Sequence, residues 1–424
     1  MRTAALKQVA DIRVSNVDKK SVDGELPVRL CNYTDVYYRD EIRPELDLMS
    51  ATATAEEIVR FRLQPGDIVI TKDSETADDI GIPAYVAASA DDLVCGYHLA
   101  ILRPNPRILH QFLFWVMNSV VIRQQLETLA TGVTRFGLRR DHIANTAVPM
   151  PDEPQQRAIA DFLDAETARI DALITKKQSL LSLVAEHHDS LVASAVQGEG
   201  HPAGTTSLSH LYLQVPQGWV ETELRHLGCR VQTGPFGSQL HAEDYIEDGW
   251  PVVNPMNLIG GAIVADQAMT VDERKRAELS RHMLTAGDIV FGRRGEMGRA
   301  GLVTEDQEGW LCGTGSLRLR IEGHGLLPEY LVELLRTSAA RAYFGLASVG
   351  STMDNLNSEI VLTFPCLVPP IPVQKQIVGA IAKSRETVRR VNGVLNRQIA
   401  LLQERRQALI TAAVTGELAV PGTA

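Results

Sequence analysis

Two stretches of the chain carry the same long-period apolar pattern. Ile159, Leu163, Ile170, Leu173, Leu180, Val184 and Leu191 follow steps built from three and four residues; Ile377, Ile381, Val388, Val391, Leu395, Leu402 and Leu409 do so again. Seven of ten seam positions are apolar in each, with Glu166, Lys177 and His187 interrupting the first and Ser384, Gln398 and Arg405 the second. A heptad pattern sustained over several turns predicts two long helices that pair through this seam. Pro154 and Pro372 suit a first helical turn, where their missing N–H needs no partner. Asp152 and Glu153 place negative charge at that end, and Gly198 and Gly416 stand where a left-handed C-terminal cap belongs. Roughly 40 residues at about 1.5 Å each predict a rod on the order of 60 Å. Elsewhere the pattern shortens. Gly66–Ile70 and Gly287–Phe291 read as glycine-initiated strands, and Phe112–Leu129 and Pro328–Phe344 have helical spacing. The stretch Gly198–Trp219, rich in Gly, Pro, Ser and Thr, reads as a linker.

These elements recur because the chain is duplicated. At a constant shift of 218, Gly132, Thr134, Leu138, Pro151, Pro154, Gln156 and Ile159 match Gly350, Thr352, Leu356, Pro369, Pro372, Gln374 and Ile377. The same shift holds to Gly198-Glu199 and Gly416-Glu417, and relates Leu6 to Leu224. Between these anchors it drifts: Gly66-Asp67-Ile68-Val69 pairs with Gly287-Asp288-Ile289-Val290, and Cys95-Gly96 with Cys312-Gly313. A period this long means duplicated domains, since solenoid repeats are much shorter. The predicted fold is α+β: two mixed α/β domains (1–150 and 219–368), each followed by a long helix (151–198 and 369–418). A linker spans 199–218 and a tail 419–424, and the two helices pack as an antiparallel coiled coil. Its packing side chains are expected to be Ile159, Leu163, Ile170, Leu173, Val184, Leu191, Ile377, Ile381, Val388, Val391, Leu402 and Leu409.

Composition narrows the function. The 424 residues are 45% hydrophobic, enough for real cores. No charged-then-apolar leader opens the chain and no apolar run approaches the length of a membrane span. Five scattered cysteines (Cys31, Cys95, Cys229, Cys312 and Cys366) do not form a disulfide framework, so a cytoplasmic setting is expected. The net charge of −10 runs against a DNA-binding role unless positive charge is local or comes from partners.

Catalytic constellations are missing. There is no phosphate loop of the Gly-x-x-x-x-Gly-Lys-Ser/Thr kind, and Pro369-Pro370 lacks the Asn/Asp before it and the aromatic after it that an amino-methyltransferase carries. Cys95-Gly96-Tyr97-His98 lacks a second pair at zinc spacing, which favours a buried structural cysteine. The basic side chains are more informative. Arg293, Arg294 and Arg299 flank a glycine-bearing loop after a predicted strand, where guanidinium groups can reach phosphates or guanine edges; a solvated turn accounts for them equally well. Lys72 occupies the corresponding, more acidic loop of the first half. Arg135, Arg139 and Arg140 form a denser cluster with His142, whose counterparts are Met353, Asn357, Ser358 and Ile360. Divergence of this kind suits two domains with different ligands, and also suits unconstrained loops.

The order of motifs, repeated twice, resembles the specificity subunits of type I restriction–modification systems. It comprises Pro216-Gln217-Gly218-Trp219 opening the second half, the Gly-Asp-Ile-Val strands, and Gly-x-Thr leading into Val-Pro-x-Pro or Pro-Pro-x-Pro. A long helix ending Val-x-Gly-Glu follows. The first half lacks the Pro-x-Gly-Trp opening, since Trp219 maps to Met1. The resemblance implies a non-catalytic subunit whose two target-recognition domains each read half of a split sequence in double-stranded DNA. It also implies that the helices act as a spacer, and that the partners are two methyltransferase subunits and motor–nuclease restriction subunits. On this reading the chain binds no cofactor and no metal, and S-adenosylmethionine belongs to the methyltransferase. The residues alone leave two rivals open: a duplicated coiled-coil scaffold that does not read DNA, and a nuclease on a duplicated fold.

Overall fold

The computed structural model describes residues 2–209, 211–293, 298–348 and 356–422. They form two compact units, one from Met1–Ser179 with Leu395–Ala424, the other from Leu180–Val394. Each is α+β, and each includes part of two 45-residue helices, Glu153–Gln197 and Ile371–Thr415.

In the first unit a five-stranded sheet runs in the order Ala10–Val14, Leu99–Pro104, Ile68–Thr71, Pro83–Val86, Glu41–Ile42. The strand Ile68–Thr71 is buried along its whole length. Successive side chains of a strand point to opposite faces, and here they enter different cores. Ile68 and Ile70 join Phe112, Leu113, Ile159 and Leu163; Val69 joins Leu30, Val94 and Ile101 on the other side. In the second unit a four-stranded sheet, Cys229–Thr233, Ser316–Ile321, Ile289–Gly292, Ala300–Leu302, repeats the arrangement. Ile289 and Phe291 pack with Tyr330, Leu331, Ile377 and Ile381, while Val290 packs with Val253 and Cys312.

Two polar devices recur in both units. The first is a buried aspartate–arginine fork. Asp67, 1% exposed, accepts Arg103 Nε and Nη2 on its two oxygens, both at 2.8 Å, and also the Gln64 N–H at 2.8 Å. Asp288, equally buried, accepts Arg320 Nε at 2.7 Å and Nη2 at 2.6 Å, and the Thr285 N–H at 2.9 Å. Each fork ties the turn before a central strand to the neighbouring strand, with the two-point geometry that a guanidinium offers a carboxylate. The second device is a buried glutamine in the first turns of each long helix. Gln156 Oε1 accepts the Leu109 N–H at 2.7 Å and its amide donates to the Pro151 carbonyl at 3.0 Å. Gln374 accepts the Leu327 N–H at 2.8 Å and donates to Gly325 and Pro369 at 2.9 and 2.8 Å. Leu109 and Leu327 are the residues that open the helices His110–Asn118 and Pro328–Leu335.

Gly198 and Gly416 end the long helices with φ of 72° and 80°. Their amides, with those of Glu199 and Leu418, turn back onto carbonyls of the last turn, the closure that a left-handed cap provides. The helices run antiparallel. Within the first unit Asp171 pairs with Arg406 at 3.0 Å and Lys177 with Gln398 at 2.6 Å; within the second, His188 meets Ser384 at 2.9 Å and Val192 and Val196 share a core with Ile377 and Ile381.

The seam differs in part from the expected one. Ile159, Leu163, Ile170, Ile377 and Ile381 are buried, and Val184, Leu191, Val388, Val391, Leu402 and Leu409 are half-buried. Leu173 is not a packing residue: it is 48% exposed, and Leu180 is 45% exposed. The covered line passes instead through Thr167, Ile174, Leu181 and His188, one residue on from Glu166, Leu173, Leu180 and His187. A period of 3.6 accepts either a three- or a four-residue first step, and since Leu173 and Ile174, like Leu180 and Leu181, are both apolar, hydrophobicity alone leaves the phase open. Thr167 enters the line because its hydroxyl donates to the Leu163 carbonyl at 2.6 Å.

The stretch 199–218 contributes structure to the second unit. Ala203–Thr206 pairs antiparallel with Gln214–Pro216, and Tyr212, Val215 and Trp219 enter the core. All five cysteines are buried, and burial drives the Cys95 and Cys312 thiols upward, Cys312 to about 12. No described helix is long and apolar enough to cross a membrane.

The forks generate a stability prediction. Asp288→Ala leaves the Arg320 guanidinium and the Thr285 N–H without their acceptor, and should cost about 3–5 kcal/mol. Denaturant unfolding measures it; a loss below about 1 kcal/mol would mean that water takes over the carboxylate's role.

Candidate functional site

Lys72 and Arg293 directly follow the central strands, whereas Arg135, Arg139 and Arg140 lie further along the chain, and the structure treats each differently. Beyond Ile68–Thr71, Lys72 turns onto Asp73 at 2.7 Å and its side chain is 15% exposed. Asp73 also accepts His98 Nδ1 at 2.8 Å, so His98 serves this carboxylate. The ammonium expected to face DNA is therefore already paired and largely covered.

Asp73–Ser74 forms one strand of a small three-stranded sheet with Thr131–Gly132 and Phe136–Gly137. Arg135, exposed between the last two strands, lines a cavity of about 400 Å3 together with Lys19, Tyr33, Tyr37, Tyr38 and Asp79. Tyr33 and Tyr37 stack with centroids 5.3 Å apart. The Tyr37 hydroxyl donates to Asp79 at 2.8 Å, and that carboxylate, with burial, pushes the phenol up to about 12. At neutral pH it is a fixed donor. The cavity joins aromatic faces to a guanidinium and several carboxylates, a mixture suited to flat, hydrogen-bonding ligands.

The other two arginines of the first cluster do not join Arg135 there. Arg139 precedes the short helix Arg140–Asn145; its side chain is exposed and touches Asp141 and His142. Arg140 turns inward and donates from Nε to the Ile12 carbonyl at 3.0 Å, binding that helix to the strand Ala10–Val14.

In the second unit Arg293 follows the strand Ile289–Gly292. Its backbone bonds to Gly315 and Leu356, and its Nε donates to the Leu356 carbonyl at 3.3 Å. Arg294 lies outside the described residues. Arg299 is exposed and lines a cavity of about 390 Å3 with Gly260, Gly261, Arg336 and Arg341. Sequence reading had passed over Arg336 and Arg341: they stand singly in helical stretches, and only folding brings them beside the loop. Among the described residues no group of three His, Cys, Asp or Glu side chains is arranged to hold a metal ion.

This architecture, two α+β units of one plan with paired long helices, has counterparts among known proteins. The family model for the type I restriction modification DNA specificity domain matches residues 3–182. The chain is 22% identical over 364 residues to the type I restriction enzyme EcoKI specificity subunit of Escherichia coli K12, covering 84% of this chain and 76% of that one. It superposes with a TM-score of 0.67, at 18% identity and 98% of both chains, on a chain solved for complex assembly and conformational transition of the type I R-M system. On the HsdS subunit of Thermoanaerobacter tengcongensis the TM-score is 0.52, at 16% identity, over 98% of this chain and 97% of the other. Residues 3–182 thus match the type I restriction modification DNA specificity domain, and the chain as a whole is similar in sequence and fold to specificity subunits of such systems.

Proposed function

We propose that the chain selects a split DNA sequence, each unit reading one half, and that it docks the methyltransferase and restriction subunits without a catalytic centre of its own. The long helices act as the spacer, and S-adenosylmethionine is held by the methyltransferase. One observation carries this reading: a common frame bears divergent side chains at matched positions. The forks, the buried glutamines and the central strands are duplicated, whereas the basic residues around them are not.

The short helix after the variable loop gives the sharpest example. In the second unit Asn357 caps Ser358–Leu362, its Oδ1 accepting the Ile360 N–H at 2.9 Å. At the matched position of the first unit stands Arg139, which makes no side-chain cap. Arginine is a poor residue here, since a cation faces the positive end of the helix and an orphan N–H loses its acceptor. A cation kept where it weakens the helix is consistent with contact to an anion such as DNA phosphate.

Two predictions follow from this contrast and from the common frame. Arg139→Asn should stabilise the protein by about 1 kcal/mol while weakening its DNA binding. Thermal unfolding and duplex titration test the two effects together; tighter or equal binding removes Arg139 from the reading surface. Replacing residues 6–148 with the matching domain of a relative should alter one half of the methylated sequence and leave the other intact. Methylation profiling of the host genome, with and without the gene and then with the hybrid, reads this directly. A change in both halves would refute two independent readers, and methyl transfer or cleavage by the purified chain alone would refute the non-catalytic assignment.

A further inference from the structure

The cavity beside Arg299 concentrates positive charge beyond what the fold requires. Arg336 ends the helix Pro328–Leu335 and lies across the turn Gly260–Gly261, donating from Nη2 to the Gly260 carbonyl at 2.7 Å. Gly261, with φ of 81°, makes this possible: a Cβ there would stand 2.1 Å from Arg336 Cζ. The nearby carboxylate of Glu333 is 3.5 Å from Arg336 Nη1, but Arg385 already holds both its oxygens at 2.7 Å. One buried carboxylate therefore stands against two guanidinium groups. Burial is the main cause that lowers the pKa of Arg336; the carboxylates of Glu333 and Asp189 oppose it, and the neighbouring cations Arg385 and Arg341 add to it.

Arg341 lies on the next helix, Ser338–Ser348, and is exposed. Among the described residues no hydrogen bond or ion pair holds its guanidinium. Gly298, with φ of 81°, lets the strand that follows it approach this helix, since a Cβ there would stand 3.1 Å from Arg341 Cγ. Arg299 follows immediately and shares the cavity, and no carboxylate is among the described residues that line it. The first unit lacks this cluster. At the shift of 218, Arg336, Glu333 and Arg385 correspond to Asn118, Trp115 and Thr167; Arg341 corresponds to Arg123, whose Nη2 reaches the Asp78 carbonyl at 3.5 Å. The common frame forms without it.

We propose that this cavity is a phosphate site, in which Arg336, Arg341 and Arg299 take a backbone phosphate of the half-site that the second unit reads. The proposal rests on the DNA-reading function proposed above. Guanidinium forks match phosphate oxygens with two-point contacts. Arg336 is pre-set by its own carbonyl contact, while Arg341 is free to close on the ligand. A phosphate contact adds affinity and fixes the unit's position on the duplex, and carries no base information. Inorganic phosphate offers the same chemistry, so the test separates the two sources.

The full chain with its methyltransferase partner is titrated with a duplex bearing both half-sites at salt concentrations from about 50 to 200 mM, the interval over which phosphate contacts show. Arg336→Gln combined with Arg341→Gln should weaken binding, lower the slope of log affinity against log salt by about 1, and leave the methylated sequence unchanged. The same proteins are titrated with inorganic phosphate by calorimetry, where the wild type should bind and the double variant should not. Arg341→Gln alone, away from the Glu333 pair, serves if the double variant does not fold. An unchanged salt slope overturns the proposal, even with phosphate binding lost, because the anion is then a free one. A changed methylated sequence overturns it too, since the arginines would be reading bases. If the wild type binds no duplex at any salt, the DNA-reading function itself falls; the phosphate titration then judges the cluster alone.

Discussion

A buried side-chain amide sets the geometry of each unit. Gln374 is fully enclosed, and Gln156 nearly so. Each accepts a backbone N–H from the start of a core helix and donates to a carbonyl just before its own long helix. A polar group without water must find partners inside the protein, and here those partners come from two separate elements. Direction and spacing between them are fixed together. An apolar residue of similar size would fill the space but leave the backbone groups of both elements unpaired. The junction between each globular part and its long helix does not pass through the loops in which the two units differ.

A net charge of −10 does not prevent an anionic partner from binding, because electrostatics at this range are local. Exposed charges separated by more than about 8 Å at physiological salt are largely screened from one another. What matters is which cations are already matched inside the protein. Arg103 and Arg320 are taken up by the forks, Lys72 by Asp73, and Arg140 by a backbone carbonyl. Arg135 in the first unit and Arg341 in the second line cavities instead. A count of basic residues along the chain does not distinguish these cases; the partner of each guanidinium does.

Much of the architecture was legible from the sequence because it follows from periodicity and glycine. The duplication, the two long helices, their caps at Gly198 and Gly416 and the strands after Gly66 and Gly287 all appear as local patterns. The fork could not be read in that way, since Asp67 and Arg103 are 36 residues apart and lie where the repeat shift drifts. The seam was half readable: Leu163, Ile170, Val184 and Leu191 keep their places, while Ile174 and Leu181 replace Leu173 and Leu180, and Thr167 and His188 replace Glu166 and His187 with their hydroxyl and ring hydrogen-bonded. Lys72 shows the limit for function. Its charge was visible in the sequence, but its engagement by Asp73 depends on a small sheet that no local pattern announces. For the same reason Arg336 and Arg341, on consecutive helices, gave no sign that they share a cavity with Arg299.

The first unit has one further property, which concerns the order in which it can be completed. Its core contains Ile410, Ala413, Val414 and Val420 beside Leu6, Phe112 and Leu163, so it is closed by residues from both ends of the chain. The second unit is drawn from one continuous segment, Leu180–Val394. During synthesis, which delivers the chain from its N-terminus, the second unit has all its residues before the first does. The first unit remains an open core until Ile410, Ala413, Val414 and Val420 have been made. Termination before those residues therefore does not release a finished first unit, and a molecule with a closed first unit is one whose second has also been made.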